Sequence, residues 1–300
     1  MKFIQFLILI LLWIYPTLMK SEDFDYNLTI QLEDFIKNKK ARIGIAVISQ
    51  GGDTITVNGD ERFPMLSVYK FPQALAVAHY CILNSISFQD SIPISKLLIK
   101  EGTYSPLRDK YGITDIKLSI SELLSYSLQL SDNNACDILF DLIGGVNYAE
   151  IMISEMGFQG IKIKNTEDEL HDNYKLCYEN SSTPLEMCKL VSYFTNELTQ
   201  VAPEFHFIGE LLETCQTGLD RLSKGIKAGD IIGHKTGTGD INSEGKIIAI
   251  NDVGYIKLCN GIGYSIVVFI SDSEYDMTTT SGFIGEISQI ISFYFHTVTD

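Results

Sequence analysis

Basic residues are in short supply. The 300-residue chain carries 23 Lys and Arg against 38 Asp and Glu, a formal net charge of −15. An acidic chain of this size has no electrostatic reason to bind nucleic acid or an anionic membrane. Cysteine is sparse too. The six residues, Cys81, Cys136, Cys177, Cys188, Cys215 and Cys259, are too few for a disulfide scaffold at this length, so several buried free thiols are expected. No Cys/His cluster has metal-ligand spacing, so no metal is expected. Internal repeats and low-complexity tracts are missing. The only tryptophan is Trp13.

What is present describes a globular protein. Hydrophobic residues make up 45% and charged residues 20% of the chain, which excludes a disordered chain. The length permits one large or two modest domains with a substantial core. Lys2 precedes a mostly apolar stretch, Phe3 to Met19, and then Lys20-Ser21-Glu22-Asp23. That stretch is short for a membrane span and reads as a secretory signal peptide over residues 1–20. No A-x-A pattern marks the cut, and no Cys follows as a lipoprotein would need. Removing Lys2 and Lys20 takes the charge from −15 to −17.

Along the chain, Leu32–Lys40 reads as an amphipathic helix. Arg42–Ser49 and Thr54–Asn58 read as a β-hairpin around the turn Gln50-Gly51-Gly52-Asp53. The middle is mainly helical. Ala74–Ser85, Ile120–Leu130, Asn134–Ile143, Tyr148–Met156 and Pro184–Thr195 repeat apolar residues every three or four positions, and Gly144-Gly145 is a stop signal. Between Gly157 and Ser182 the pattern breaks into a polar, acidic loop. Strand patterns return at Asp230–Lys235, Ile247–Leu258 and Tyr264–Ser271, before a last helix over about Thr278–Phe295. Strands at both ends enclosing helices predict an α/β protein of the α+β type. Its antiparallel sheet would come from 21–62 and 215–300, and an all-helical domain from 63–214.

Three short motifs carry possible chemistry. Ser67-Val68-Tyr69-Lys70 precedes an apolar helix, which places serine and lysine on one face. The free N–H groups of a helix start stabilise negative charge there, and an adjacent lysine can accept a hydroxyl proton. Ser131-Asp132-Asn133 sits at a helix boundary, where such side chains ordinarily act as caps. Lys235-Thr236-Gly237-Thr238-Gly239 ends a strand. There a small residue at Gly237 lets a ligand lie along the strand, and Lys235 with two hydroxyls would face a carboxylate. Each is weak alone, and Ser243-Glu244-Gly245-Lys246 repeats the first motif in a turn-like segment.

In that order, on helix, helix boundary and strand, the three form the set found in class A β-lactamases and penicillin-binding proteins. The chain resembles a class A serine β-lactamase, nearest the extended-spectrum cephalosporinases. The likeness extends to Tyr104-Ser105-Pro106-Leu107-Arg108, the context of Ser131 to Phe140, Thr217 to Leu222, and Asn251 to Gly254. It implies a transpeptidase-like fold and a secreted, periplasmic bacterial enzyme acting on small-molecule β-lactams. It implies a monomer that needs no cofactor and no membrane after signal cleavage. Ser67 would be the nucleophile, Lys70 or Glu167 its base, and Ser131 the proton relay to the lactam nitrogen. Glu167, in the acidic loop, matches the family's deacylation glutamate by its spacing from Ser131 and Lys235; Asp168 and Glu169 are expected to be exposed. Asn133 would contact the substrate's amide side chain, and Tyr104 would line the cleft mouth. Lys235, Thr236, Thr238 and Arg221 would hold the carboxylate. Two departures stand out. His171 occupies the place where most members have asparagine, and Arg221 replaces the arginine that many carry on the strand after K-T-G. The motifs alone leave open a DD-peptidase or a non-catalytic β-lactam sensor.

Overall fold

A computed structural model describes residues 21–298, so the leader lies outside the described residues. The first helix, α1 (Ser21–Ile36), leads into the hairpin β1 (Arg42–Ser49) and β2 (Thr54–Val57). α1 starts earlier and stops sooner than the sequence reading placed it; Lys37 to Lys40 form a turn. After β3 (Phe63–Pro64) comes a 3-10 turn, Leu66–Tyr69, that runs straight into α2 (Lys70–Asn84). Then follow β4 (Ser91–Ile94), α3 (Pro106–Tyr111), β5 (Ile116–Ser119), α4 (Ile120–Gln129), α5 (Asn133–Ile143) and α6 (Val146–Glu155). The acidic loop contains a two-turn helix, α7 (Glu167–Asp172), and ends at β6 (Ser181–Ser182). α8 (Pro184–Asn196) and α9 (Pro203–Glu213) close the helical block; β7 (Ile231–Thr238), β8 (Ile247–Lys257), β9 (Gly263–Ser273) and α10 (Met277–Val298) finish the chain. The short strands, α3 and α9 were not visible in the periodicity.

One five-stranded antiparallel sheet, ordered β2-β1-β9-β8-β7, is built from both ends of the chain. Side-chain alternation splits β1 between two cores. Ile43, Ile45 and Val47 pack with Leu28 and Leu32 of α1 and Ile284, Ile287 and Ile291 of α10. Ala46 and Ile48 face the helical block with Phe71, Met187 and Phe194. Because both faces are covered, β8 and β9 are buried almost end to end. Gly44 is required here, since a Cβ would stand 2.5 Å from the Phe63 ring. The long antiparallel register places Lys235 opposite Val253 and Thr236 opposite Asp252. The strand β7 continues through Thr238, so K-T-G lies within the sheet's edge strand and not at a turn. All six cysteines are unpaired; five are buried and Cys259 is exposed. No described helix is long and apolar enough to cross a membrane.

Candidate active site

Ser67 stands where β3 turns into α2. The chain enters through Leu66 in the left-handed region (φ 48), a conformation that costs a branched residue of order 1–3 kcal/mol and persists only where surroundings enforce it. The enforcement is visible. Asn251 of β8 donates from Nδ2 to the carbonyls of Pro64 (2.8 Å) and Met65 (3.0 Å), and Met65 N donates to Asn180 O at 2.8 Å. Pro72 is the third residue of α2, close to the start of the α-helix.

Lys70 is fully buried, and its ammonium has three acceptors. They are Asn133 Oδ1 at 2.6 Å, Ser131 O at 2.8 Å and Glu167 Oε1 at 3.0 Å. An ammonium has three protons, so each has a partner. Ser67 Oγ donates to the same Glu167 Oε1 at 3.4 Å. Ser131 also has a left-handed backbone (φ 59). That twist turns its carbonyl to Lys70 while its hydroxyl accepts from Lys235 Nζ at 2.9 Å. Ser67, Lys70, Ser131, Asn133, Glu167 and Lys235 therefore form one hydrogen-bonded set.

Glu167 opens α7, and two caps hold it. Thr166 and Glu169 form a capping box. Asp137 of α5 accepts from Glu167 N (2.8 Å) and Asp168 N (2.9 Å), taking two helix-start donors at once. Burial, then the charge of Glu167, raises the Asp137 carboxyl to about 7. Glu169 is exposed, as expected, while Asp168 is half-buried and pairs with Lys100 at 3.0 Å. His171 is exposed at the end of α7 and faces Gly102; a Cβ there would stand 2.8 Å from its Nε2.

The far wall is β7. Burial, then the charge of Lys70, lowers Lys235 to about 7. Thr236 Oγ1 meets Thr217 Oγ1 at 2.6 Å. Arg221 is buried behind the strand. It donates to Asn251 O (2.9 Å), Gly237 O (3.0 Å), Ser281 Oγ (3.2 Å) and Thr238 Oγ1 (2.6 Å), so its guanidinium meets the cleft through the Thr238 hydroxyl. Gly239 N donates to Ala249 O at 2.9 Å, and ladder alternation then turns the Thr238 N–H toward the free edge. Gly237 is small for a different reason than ligand room. A Cβ there would lie 2.5 Å from Met65 O and 3.3 Å from Ser67 N, so this glycine lets β7 close on the serine turn. His234 and Asp252, both buried, pair at 2.9 Å behind Lys235. Burial alone would lower His234, but Asp252 and Cys215 raise it to about 10.

The cleft between these walls measures about 360 Å³ and is lined by Tyr104, Asn133, Glu167, His171, Thr238 and Asp240. Tyr104 is 59% exposed at its mouth. The second S-x-x-K, at Ser243, lies in an exposed turn where Lys246 forms an ion pair with Glu244 (3.3 Å). Among the described residues no His/Cys/Asp/Glu group could hold a metal ion. Asn251, Asp252 and Asp137 lie in segments that carry the resemblance, and His234 precedes K-T-G, but no role attaches to any of the four in the sequence. Only contact across strands or between helices reveals what they do.

A profile of the Beta-lactamase enzyme family matches residues 27–295. Beta-lactamase VEB-1 of Pseudomonas aeruginosa is 35% identical over 98% of this chain and 99% of its own length. The crystal structure of the TLA-1 extended-spectrum beta-lactamase superposes with a TM-score of 0.87 at 35% identity, covering 90% of this chain and 98% of that one. A class A beta-lactamase structure from Bacteroides cellulosilyticus gives 0.87 at 33% identity, covering 91% and 99%.

Proposed function

This chain belongs to the beta-lactamase enzyme family as a class A, extended-spectrum-like member, and from that premise we propose that it opens β-lactams through a Ser67 acyl-enzyme cleared by Glu167-activated water. Its coarse activity, β-lactam hydrolysis that confers antibiotic resistance, follows from membership. The observation that carries the finer reading is the shared Glu167 Oε1, 3.4 Å from Ser67 Oγ and 3.0 Å from Lys70 Nζ.

The saturated ammonium of Lys70 supports Glu167 as the base in both half-reactions. Lys70 would have to shed a proton and a partner before taking one from Ser67. Glu167 accepts the Ser67 proton through a water, Oγ attacks the lactam carbonyl, and the oxyanion forms against the N–H groups of Ser67 and Thr238. Each such donor is worth about 10²–10³ in rate. Lys235 occupies a lone pair of Ser131 Oγ, which leaves the Ser131 proton free for the departing lactam nitrogen. The C–N bond breaks as that proton arrives, and the proton held by Glu167 passes back to Ser131 through the Lys70 ammonium, which restores the Glu167 carboxylate. Asn133 holds the substrate's amide side chain, and Lys235, Thr236 and Thr238 receive its carboxylate, with Arg221 fixing the Thr238 hydroxyl. In deacylation Glu167 takes a proton from water, hydroxide attacks the ester, and Ser67 leaves by taking that proton back from Glu167. His171 shapes the loop beside Gly102 at the cleft edge.

Export to the periplasm after cleavage near residue 20 completes the reading, with the mature chain acting as a monomer; the mass of the mature protein and its sedimentation test both. The mechanism is tested by mass spectrometry with a penicillin. Glu167→Ala is expected to slow deacylation by about 10²–10⁴ and accumulate an acyl adduct, and Ser67→Ala to form none. Rapid, complete turnover by Glu167→Ala would sink the base assignment. Stable acylation of the unmodified enzyme would instead mark a peptidase, and reversible binding without turnover a sensor.

A further inference from the structure

The segment Tyr104-Ser105-Pro106-Leu107-Arg108 is built around one guanidinium. Arg108 Nη1 donates to the carbonyls of Glu101 (2.5 Å), Thr103 (2.6 Å) and Lys100 (3.2 Å). Three carbonyls of an otherwise exposed loop thus converge on one nitrogen. The side chain of Arg108 is 20% exposed and Asp109 orients it, accepting from Nη2 at 2.9 Å and Nε at 3.3 Å. Its backbone is fixed in turn. Ser105 caps α3 by accepting from Arg108 N at 3.1 Å, and donates to Asp132, which also accepts from Leu107 N and caps α5 through Ala135 N. The loop that Arg108 gathers then touches the cleft. Thr103 Oγ1 accepts from Asn133 Nδ2 at 2.7 Å, and Tyr104 O accepts from Asn133 N at 3.1 Å. An amide whose nitrogen is engaged by Thr103 must present its oxygen the other way, where Lys70 donates to it at 2.6 Å.

We propose that Arg108 is a positioning residue for substrate recognition. By holding the 100–104 loop it places the Thr103 hydroxyl that sets the orientation of Asn133. The inference rests on the reading of Asn133 as the contact for the substrate's amide side chain. Without Arg108 the loop carbonyls turn to solvent and Thr103 leaves Asn133, whose amide keeps Lys70 on its oxygen but loses the anchor on its nitrogen, so it swings about that one contact and only part of its range suits the substrate. Binding of the side chain weakens while Ser67 and Glu167 stay in place.

The test is steady-state hydrolysis by Arg108→Ala, Arg108→Lys, Thr103→Val and Asn133→Ala of two probes, a 7-acylamido cephalosporin and its bare 7-amino nucleus. Arg108→Ala and Thr103→Val are each expected to raise KM for the acylamido probe about twofold to twelvefold, the worth of about one hydrogen bond. Their kcat should change little, and KM for the bare nucleus should not move, the signature of lost ground-state binding. Arg108→Lys, which reaches fewer carbonyls, should fall between. A merely structural role would depress both probes alike. Equal loss on both, or unchanged discrimination in Arg108→Ala and Thr103→Val at the parent melting temperature, overturns the proposal. If Arg108→Ala does not fold, Thr103→Val decides alone. If Asn133→Ala discriminates and the other two do not, Arg108 loses its role and the reading of Asn133 stands. If Asn133→Ala does not discriminate, that reading falls and the Arg108 proposal with it.

Discussion

The proposed role of Lys235 asks for a cation in a place that disfavours one. It is fully buried and shares the site with Lys70, and these together bring it to about 7. A carboxylate needs the ammonium form, which declines tenfold per pH unit above that value. Since kcat/KM reports groups of the free enzyme, it should fall as pH rises through about 7 for a substrate with a free carboxylate. It should stay flat there for the corresponding methyl ester. Lys235→Arg keeps its proton and should lose that limb. The same limb in Lys235→Arg, or in the ester, would assign the titration elsewhere. Stability carries the opposite sign. The unfolded lysine binds its proton up to its ordinary 10.5, so between the two values the folded state holds fewer protons and is stabilised as pH rises. The sequence shows the lysine and its motif. It does not show the burial, the second lysine, or the His234–Asp252 pair behind it, because those lie across strands and helices that no local spacing connects.

Elements, more than residues, decide where Ser67, the proposed nucleophile, points. The serine turn is clamped from one side by Asn251 and closed upon by β7 at Gly237. Gly237→Ala would drive a methyl into Met65 O, at 2.5 Å from the ideal Cβ. Overpacking of this kind costs about 1–3 kcal/mol, and here relief must come by moving β7 or the turn that carries Ser67. Both stability and acylation should therefore drop, readable as a lower melting temperature and a slower single-turnover acylation. A variant with unchanged melting and acylation would mean that the turn gives way freely. The long elements were legible because their apolar period was continuous; β1, β8, β9 and α10 fall within a few residues of their expected bounds. Others were not. β7 extends through Gly237 to Thr238, in a Gly-Thr-Gly run that locally reads as a turn. α7 hides in a run of carboxylates because its caps, Thr166 and Asp137, come from its flank and from another helix. β4 and β5 are four residues each and lean on one another.

At the scale of the whole molecule, the helical block and the sheet share a core. Ala46 of β1, Val253 and Tyr255 of β8, and Val267 and Phe269 of β9 pack in one cluster with Phe63, Phe71, Met187, Val191 and Phe194. The chain reads as a helical segment inserted between two halves of a sheet, and that description is topological. Energetically, residues 63–214 cut free would expose Phe71, Phe194 and Met187, all 1% or less accessible in the intact protein. Fully burying one such side chain contributes about 1.5–3 kcal/mol, and several lost together compare with the whole stability of about 5–15 kcal/mol of an ordinary domain. The isolated segment 63–214 is therefore expected to collapse without unique packing, with helical far-UV circular dichroism, weak near-UV signal and poorly dispersed amide resonances. Sharp dispersion and cooperative melting in that fragment would show two independent domains. The outcome bears on catalysis. Glu167 and Ser131 come from the helical segment and Lys235 from the sheet, and the 2.9 Å contact between Lys235 and Ser131 spans the two. If they fold as one unit, the geometry of the cleft inherits the stability of the shared core. A cavity such as Phe194→Ala, at a side chain that packs on Phe71 and does not line the cleft, would then slow acylation in step with its loss of melting temperature.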